Sequence, residues 1–114
     1  MEVIIVNDFG ESIDLVESLY ADLNLTIINP SRKLYHVEAR NNGVSYARGE
    51  YILLCEDDDL LLPGHIERRV NEMSHADLAF SDVEIFEYKK EENHRKPTNR
   101  FFFFFCVSLW PDQR

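Results

Sequence analysis

Residues 51–55, Tyr-Ile-Leu-Leu-Cys, form a short apolar run that ends in four consecutive carboxylates, Glu56-Asp57-Asp58-Asp59, before Leu60-Leu61-Leu62-Pro63 follows. The apolar run has the length and composition of a strand buried in a sheet. Four adjacent negative charges repel one another, so a chain that gathers them at the mouth of a strand needs something cationic there. Hard divalent cations such as Mg²⁺ and Mn²⁺ take oxygen ligands and commonly combine few protein carboxylates with substrate phosphates. A solvated acidic turn leading into a helix is the plain alternative, because carboxylates also suit the positive end of a helix dipole. The local pattern leaves both open.

The rest of the chain supplies the frame. Val3-Ile4-Ile5-Val6 is a β-branched run of buried-strand type that stops at the turn cluster Asn7-Asp8-Phe9-Gly10. Ile13, Val16, Leu19, Tyr20 and Leu23 recur at helical spacing, which predicts an amphipathic helix over residues 12–23. Leu25 to Ile28 is a second strand, closed by Asn29-Pro30-Ser31. Residues 32–36 show no period. Ala39, Gly43, Val44 and Ala47 then make a small-residue face suited to a short helix packed closely on a sheet, with Gly49 as its stop. A helix is predicted over residues 63–74 with Ile66, Val70 and Met73 inward, then a strand at Leu78–Phe80 that continues through Val83, Ile85 and Phe86. Residues 89–100 are charge-dense and read as a loop, whereas residues 101–110 are almost wholly apolar.

Strands alternating with helices imply an α/β fold: a Rossmann-like, mostly parallel sheet with helices on both faces. Ligands bind such sheets beyond the carboxyl ends of the strands. Asp8 and the run from Glu56 to Asp59 both follow predicted strands, so they are expected to converge on one edge. That convergence favours the metal-site reading. At 114 residues the chain is expected to be one domain, residues 1–114. A net charge of −9 and a pI near 4.8 exclude non-specific nucleic-acid binding, which needs a basic footprint. A phosphate-bearing ligand must therefore bring a metal or meet a local cationic pocket. Cys55 and Cys106 lie inside apolar runs and read as small hydrophobes rather than as a disulfide or zinc site. No leader pattern follows Met1 and no run reaches the roughly 18 apolar residues of a membrane span. The expected setting is cytoplasmic, with the phenylalanine-rich run as the one feature suited to peripheral contact with a membrane.

These segments, taken in order, resemble the nucleotide-sugar-binding half of family 2 glycosyltransferases, which have the GT-A fold. The likeness covers residues 2–82 and is carried by Val6-Asn7-Asp8 followed by a glycine, Ala39-Arg40-Asn41-Asn42-Gly43, Ala47-Arg48-Gly49-Glu50-Tyr51-Ile52, Glu56-Asp57-Asp58-Asp59 with Pro63, and Ala76-Asp77-Leu78-Ala79-Phe80-Ser81-Asp82. The resemblance implies that Asp8 matches the acidic residue that meets the nucleobase of a nucleoside-diphosphate sugar. It implies that Glu56 and Asp57 match the front of the DXD-type motif facing ribose and diphosphate, with Asp58 as the ligand of a divalent metal, Mn or Mg. Arg40 and Asn41 match the alanine-arginine-asparagine motif near the donor. Arg40 has the fork geometry to donate to a phosphate, while pairing with Glu38 or Glu50 is its alternative role.

Relative to the family this chain departs in three ways. The family has a further strand ahead of the one at Glu2, central in its sheet. The leading aspartate of the DXD-type motif is here Glu56. No residue matches the general base of the acceptor half, since His65, His75 and His94 fall in other regions and His36 precedes the acidic strand. The expected function is thus a domain, truncated at both ends, that binds a nucleoside-diphosphate sugar through a metal and is incomplete for transfer on its own. A non-catalytic nucleotide-sugar or metal-binding interaction module is the alternative, and a phosphoryl-accepting receiver domain a third. Residues 101–110 are expected to fill the place of the absent strand, in this chain or by a strand swap in a homo-oligomer. Otherwise they form an interface or a fortuitous terminus.

Overall fold

The computed structural model describes residues 1–84 and, as backbone, residues 103–109. The described residues belong to two compact units, one formed by Met1–Leu60 with Phe101–Arg114 and the other by Leu61–Arg100.

The first unit is built on β1, Glu2–Asn7. Its β-branched run favours the extended backbone, and Ile4, Ile5 and Val6 are all almost completely buried. After α1 (Asp14–Leu19), β2 (Leu25–Ile28) returns parallel to β1, with Val3 opposite Leu25 and Val6 opposite Ile28. The helix α2 (Tyr35–Tyr46) follows, then β3 (Tyr51–Glu56) and finally β4 (Phe103–Leu109). The sheet order is β2-β1-β4-β3. β4 pairs antiparallel with both β1 and β3, so β1, β2 and β3 all run one way and β4 alone runs against them. The apolar run near the end of the sequence is therefore an inner strand of the same sheet, in the central place expected for it. Phe101, Phe102 and Trp110 lie outside the described residues.

The helix α2 lies against β1 and β4. Ala39 and Gly43 are its buried residues, as their small size predicts for a helix set close to a sheet. Val6, Leu34 and Ala39 form the core cluster, with Ile28 packed against it. At the opposite end of α2, the backbone N–H of Arg48 donates to buried Glu2 at 3.0 Å, tying the exit of the helix to the start of β1. Among the described residues no helix is long and apolar enough to cross a membrane.

Several elements differ from expectation. α1 spans six residues rather than twelve, and Leu19, Tyr20 and Leu23 are exposed, because periodicity alone does not supply a surface to bury them. α2 begins at Tyr35, inside the stretch without a period, and stops at Tyr46 with Ala47 as its cap, ahead of Gly49. β3 alternates between half-buried and exposed residues instead of being buried on both faces. It pairs with β4 on one side, and Ile52 and Leu54 are about half exposed. In the second unit α3 covers His65–Glu72 and half-buries Ile66, Val70 and Met73 as expected, while Gly64 at its N-cap takes φ 77°, which suits a residue without Cβ. Residues 78–84 form no strand. Leu78, Phe80 and Val83 stand roughly four-fifths exposed, having no partner strand among the described residues. Ile85, Phe86 and the loop at 89–100 lie outside the described residues.

Candidate functional site

Register places the two acidic segments. Val6 of β1 and Glu56 of β3 both stand opposite Phe104 of the intervening β4. The carboxyl ends of β1 and β3 thus lie at the same level of the sheet, two strand spacings or about 10 Å apart. Asp8 leaves one of them and Asp57-Asp58-Asp59 the other, so the convergence expected from sequence is present.

Asp8 is 1% exposed, and its carboxylate is held from three directions. Oδ1 accepts from the Leu34 N–H at 2.7 Å, and Oδ2 accepts from the Tyr35 N–H at 2.8 Å. Lys33 Nζ stands 3.2 Å from Oδ2 and donates to the Asp8 carbonyl at 2.6 Å. These amides open α2, whose N-cap Leu34 has no side chain able to satisfy them. Asp8 does so from another element, as an anion at the positive end of the helix. Beside it, Asn7 Oδ1 accepts from the Gly10 N–H at 2.9 Å, and its Nδ2 donates to the Glu11 carbonyl at 2.9 Å and to Asn29 Oδ1 at 3.3 Å. The loop after β1 is thereby fastened to the end of β2.

On the other side, residues 56–59 make a tight turn. The Asp59 N–H donates to the Glu56 carbonyl at 3.2 Å, and Asp59 Oδ2 accepts from the Glu56 N–H at 3.4 Å. Asp59 closes the turn, leaving Asp57 and Asp58 exposed at its tip. Arg40 of α2 reaches Glu56, with Nη2 2.5 Å from Oε1. Two residues singled out separately in the sequence are thus an ion pair, while Glu38 pairs with Arg32. Asn41, the next residue of α2, is exposed. Burial raises the Cys55 thiol pKa, and the neighbouring Asp59, Glu56 and Asp58 raise it further. A thiolate is unwelcome in this negative field.

The donor set suits a hard cation only in part. The turn offers oxygen ligands alone, but no group of three potential metal-ligating side chains exists among the described residues. A cation here would need further oxygens from its ligand, as Mg²⁺ and Mn²⁺ do with phosphates.

Sequence reasoning missed Lys33, Leu34 and Tyr35. The available signal was an α2 N-terminus lacking a Ser, Thr, Asp or Asn cap, which leaves helix amides in need of an outside acceptor.

An α/β sheet carrying an acidic turn and a helix-capping carboxylate at one carboxyl edge defines a Rossmann-like domain of partial GT-A type. The sequence model described as Glycosyl transferase family 2 matches residues 1–113, and the chain belongs to that family. It is 45% identical over 102 residues to the uncharacterized glycosyltransferase YwdF of Bacillus subtilis (strain 168), covering 90% of this chain and 38% of that protein. It is 31% identical over 93 residues to the uncharacterized glycosyltransferase MJ1057 of Methanocaldococcus jannaschii, covering 72% of this chain and 32% of the relative. Glycosyltransferase GlyG of Streptococcus pneumoniae serotype 4 is 28% identical over 117 residues, with 94% and 36% covered. The chain therefore spans about a third of the length of these relatives. No solved structure gives a significant match.

Proposed function

We propose that this chain is a donor-binding part of a glycosyltransferase, holding a nucleoside-diphosphate sugar at the shared carboxyl edge of β1 and β3 with a divalent metal, Mn or Mg. The observation that carries the reading is the double engagement of α2. Its first amides grip Asp8, and one to two turns later its Arg40 grips Glu56. One rigid element therefore sets both strand ends as a single site.

Asp58, exposed at the tip of the turn, is the proposed metal ligand, with the diphosphate supplying further oxygens. When bound, the metal offsets charge on the departing diphosphate as a Lewis acid. Glu56 and Asp57 face the ribose and diphosphate. Arg40 exchanges Glu56 for a phosphate oxygen, an exchange made cheap by the part exposure of both side chains. Asn41 adds a polar contact on the same face of the donor. Asp8, whose two oxygens already accept protein donors, serves the base side by shaping its wall. Membership of the family supports donor binding over a receiver-like role. For this chain alone the proposal is binding, since no general base for the acceptor is identified in it.

Calorimetric titration with a panel of nucleoside-diphosphate sugars, with Mn²⁺ and with chelator, tests the reading. At least one donor should bind only with metal. Asp58→Ala should lower that affinity about tenfold or more, with stability changed by less than about 0.5 kcal/mol because the residue is exposed. Equal binding by both proteins, with metal and without, would count decisively against the site.

A further inference from the structure

Charge is unevenly spread along the chain. Residues 1–31 hold six carboxylates and no lysine or arginine, whereas the whole chain carries −9. Two of the six, Glu2 and Asp8, are buried and stand against Arg48 and Lys33. The other four, Glu11, Asp14, Glu17 and Asp22, are exposed on and around α1, and no ion pair among the described residues involves them. α1 has acidic residues in its first turn and no basic residue in its last, so its own sequence leaves the negative end of its dipole without a cation. Interleaved with these carboxylates are four large apolar side chains that the fold leaves in water. Leu15, Leu19, Tyr20 and Leu23 are 69%, 65%, 52% and 40% exposed. Leu15 and Leu19, four positions apart, are neighbours on one side of the helix. The Tyr20 N–H donates to the Val16 carbonyl at 3.1 Å and the Leu23 N–H to the Tyr20 carbonyl at 2.9 Å, so a tight turn continues directly from the helix end. α1 contains no buried residue, although a helix this short draws its stability from a covered apolar side.

We propose that α1 and the turn after it are a docking surface for a basic amphipathic helix of a partner protein. The partner's apolar side covers Leu15 and Leu19, and its lysines or arginines meet the flanking carboxylates. Charge selects this occupant. A second copy of the chain would bring the same carboxylates to the contact and be repelled. An anionic lipid surface is repelled likewise, and helices that lie on such surfaces carry basic flanks instead. A basic helix gains twice, by desolvating an apolar centre and by matching an acidic rim. Its cations also suit the carboxyl end of α1. The proposal does not depend on the donor reading.

The test titrates the full chain against a labelled helical peptide of leucine and lysine, a leucine–glutamate counterpart, and phosphatidylglycerol vesicles. Anisotropy reads the peptides and co-sedimentation the vesicles. The variants are Leu15→Ser combined with Leu19→Ser, Glu17→Lys, and Asp77→Lys, the last an exposed acid of the second unit that alters net charge by the same amount. The lysine peptide should bind the parent and the glutamate peptide should not. The paired serine substitutions should weaken binding about tenfold or more. Glu17→Lys should weaken it several-fold, and Asp77→Lys by less than about twofold. Because Glu17→Lys leaves both leucines in place, it decides the matter even where the serine variant melts lower. Equal losses in Glu17→Lys and Asp77→Lys would reveal attraction by bulk charge and overturn the proposal, as would a folded serine variant that binds like the parent. Vesicle binding that the serine variant loses would assign the face to lipid instead. A parent that ignores the lysine peptide refutes the proposal outright.

Discussion

At the scale of single residues, Asp8 and Asp58 illustrate two opposite uses of a carboxylate. Asp8 is buried and satisfied by two helix amides and a lysine, so it belongs to the fold before it belongs to any ligand. Asp8→Ala should destabilise the chain by about 3 kcal/mol, because it leaves two amides without their acceptor and removes the carboxylate that pairs with Lys33. Asp8→Asn retains an acceptor for one amide and should cost roughly half as much. Urea unfolding midpoints at constant slope check both values. Asp58, exposed on its turn, is expected to show the reverse pattern of intact stability and lost metal dependence. The sequence singled out both positions from their place after apolar runs. It did not distinguish them, since the amides that claim Asp8 come from residues 34 and 35, 26 and 27 positions along the chain.

At the scale of elements, β4 is the part on which the sheet depends most. It lies between β1 and β3, so each amide in its paired stretch points toward one neighbour or the other. Val107 stands opposite Val3 and opposite Leu53. Val107→Pro removes a ladder hydrogen bond from the middle of the sheet and should cost about 3 kcal/mol or more, broadening or abolishing cooperative unfolding by circular dichroism. An unchanged transition would show that β1 and β3 do not need the strand between them. The strand character of this segment was legible from its apolar, β-rich composition, and so was the small-residue face of α2 around Ala39 and Gly43. The predicted strand at Leu78–Phe80 shows the limit of such patterns. Three apolar residues make a strand only where a neighbour offers its backbone, and among the described residues none does.

At the scale of the whole molecule, strand order rather than strand content sets how protection is distributed. β1 is paired on both sides and buried along nearly its whole length, whereas β3 is paired with β4 on one side and exposes Ile52 and Leu54. Hydrogen exchange should be slowest in β1, and alternate amides of β3, those turned away from β4, should exchange orders of magnitude faster. Uniform protection across β3 would mean that its outer edge is covered by another strand. The net charge of −9 adds a global bias. A protein of this sign repels anions, so attraction of the proposed anionic ligand would depend on local cations such as Lys33 and Arg40 at one edge.

What the sequence determined by itself is whatever has a local cause: β-branched runs that extend, a small-residue stripe that lets a helix sit close, and carboxylates placed at strand ends. Those causes were enough for the α/β class and for placing Asp8 and the acidic run after strands on one edge of the sheet. Only the tertiary structure decided that the last described strand enters the sheet against the direction of its neighbours, that Arg40 meets Glu56, and that Asp8 caps α2 instead of standing free. Each of these joins segments far apart in the chain, and such pairings are chosen by the burial and hydrogen bonding of the assembled whole, which no local window of residues contains.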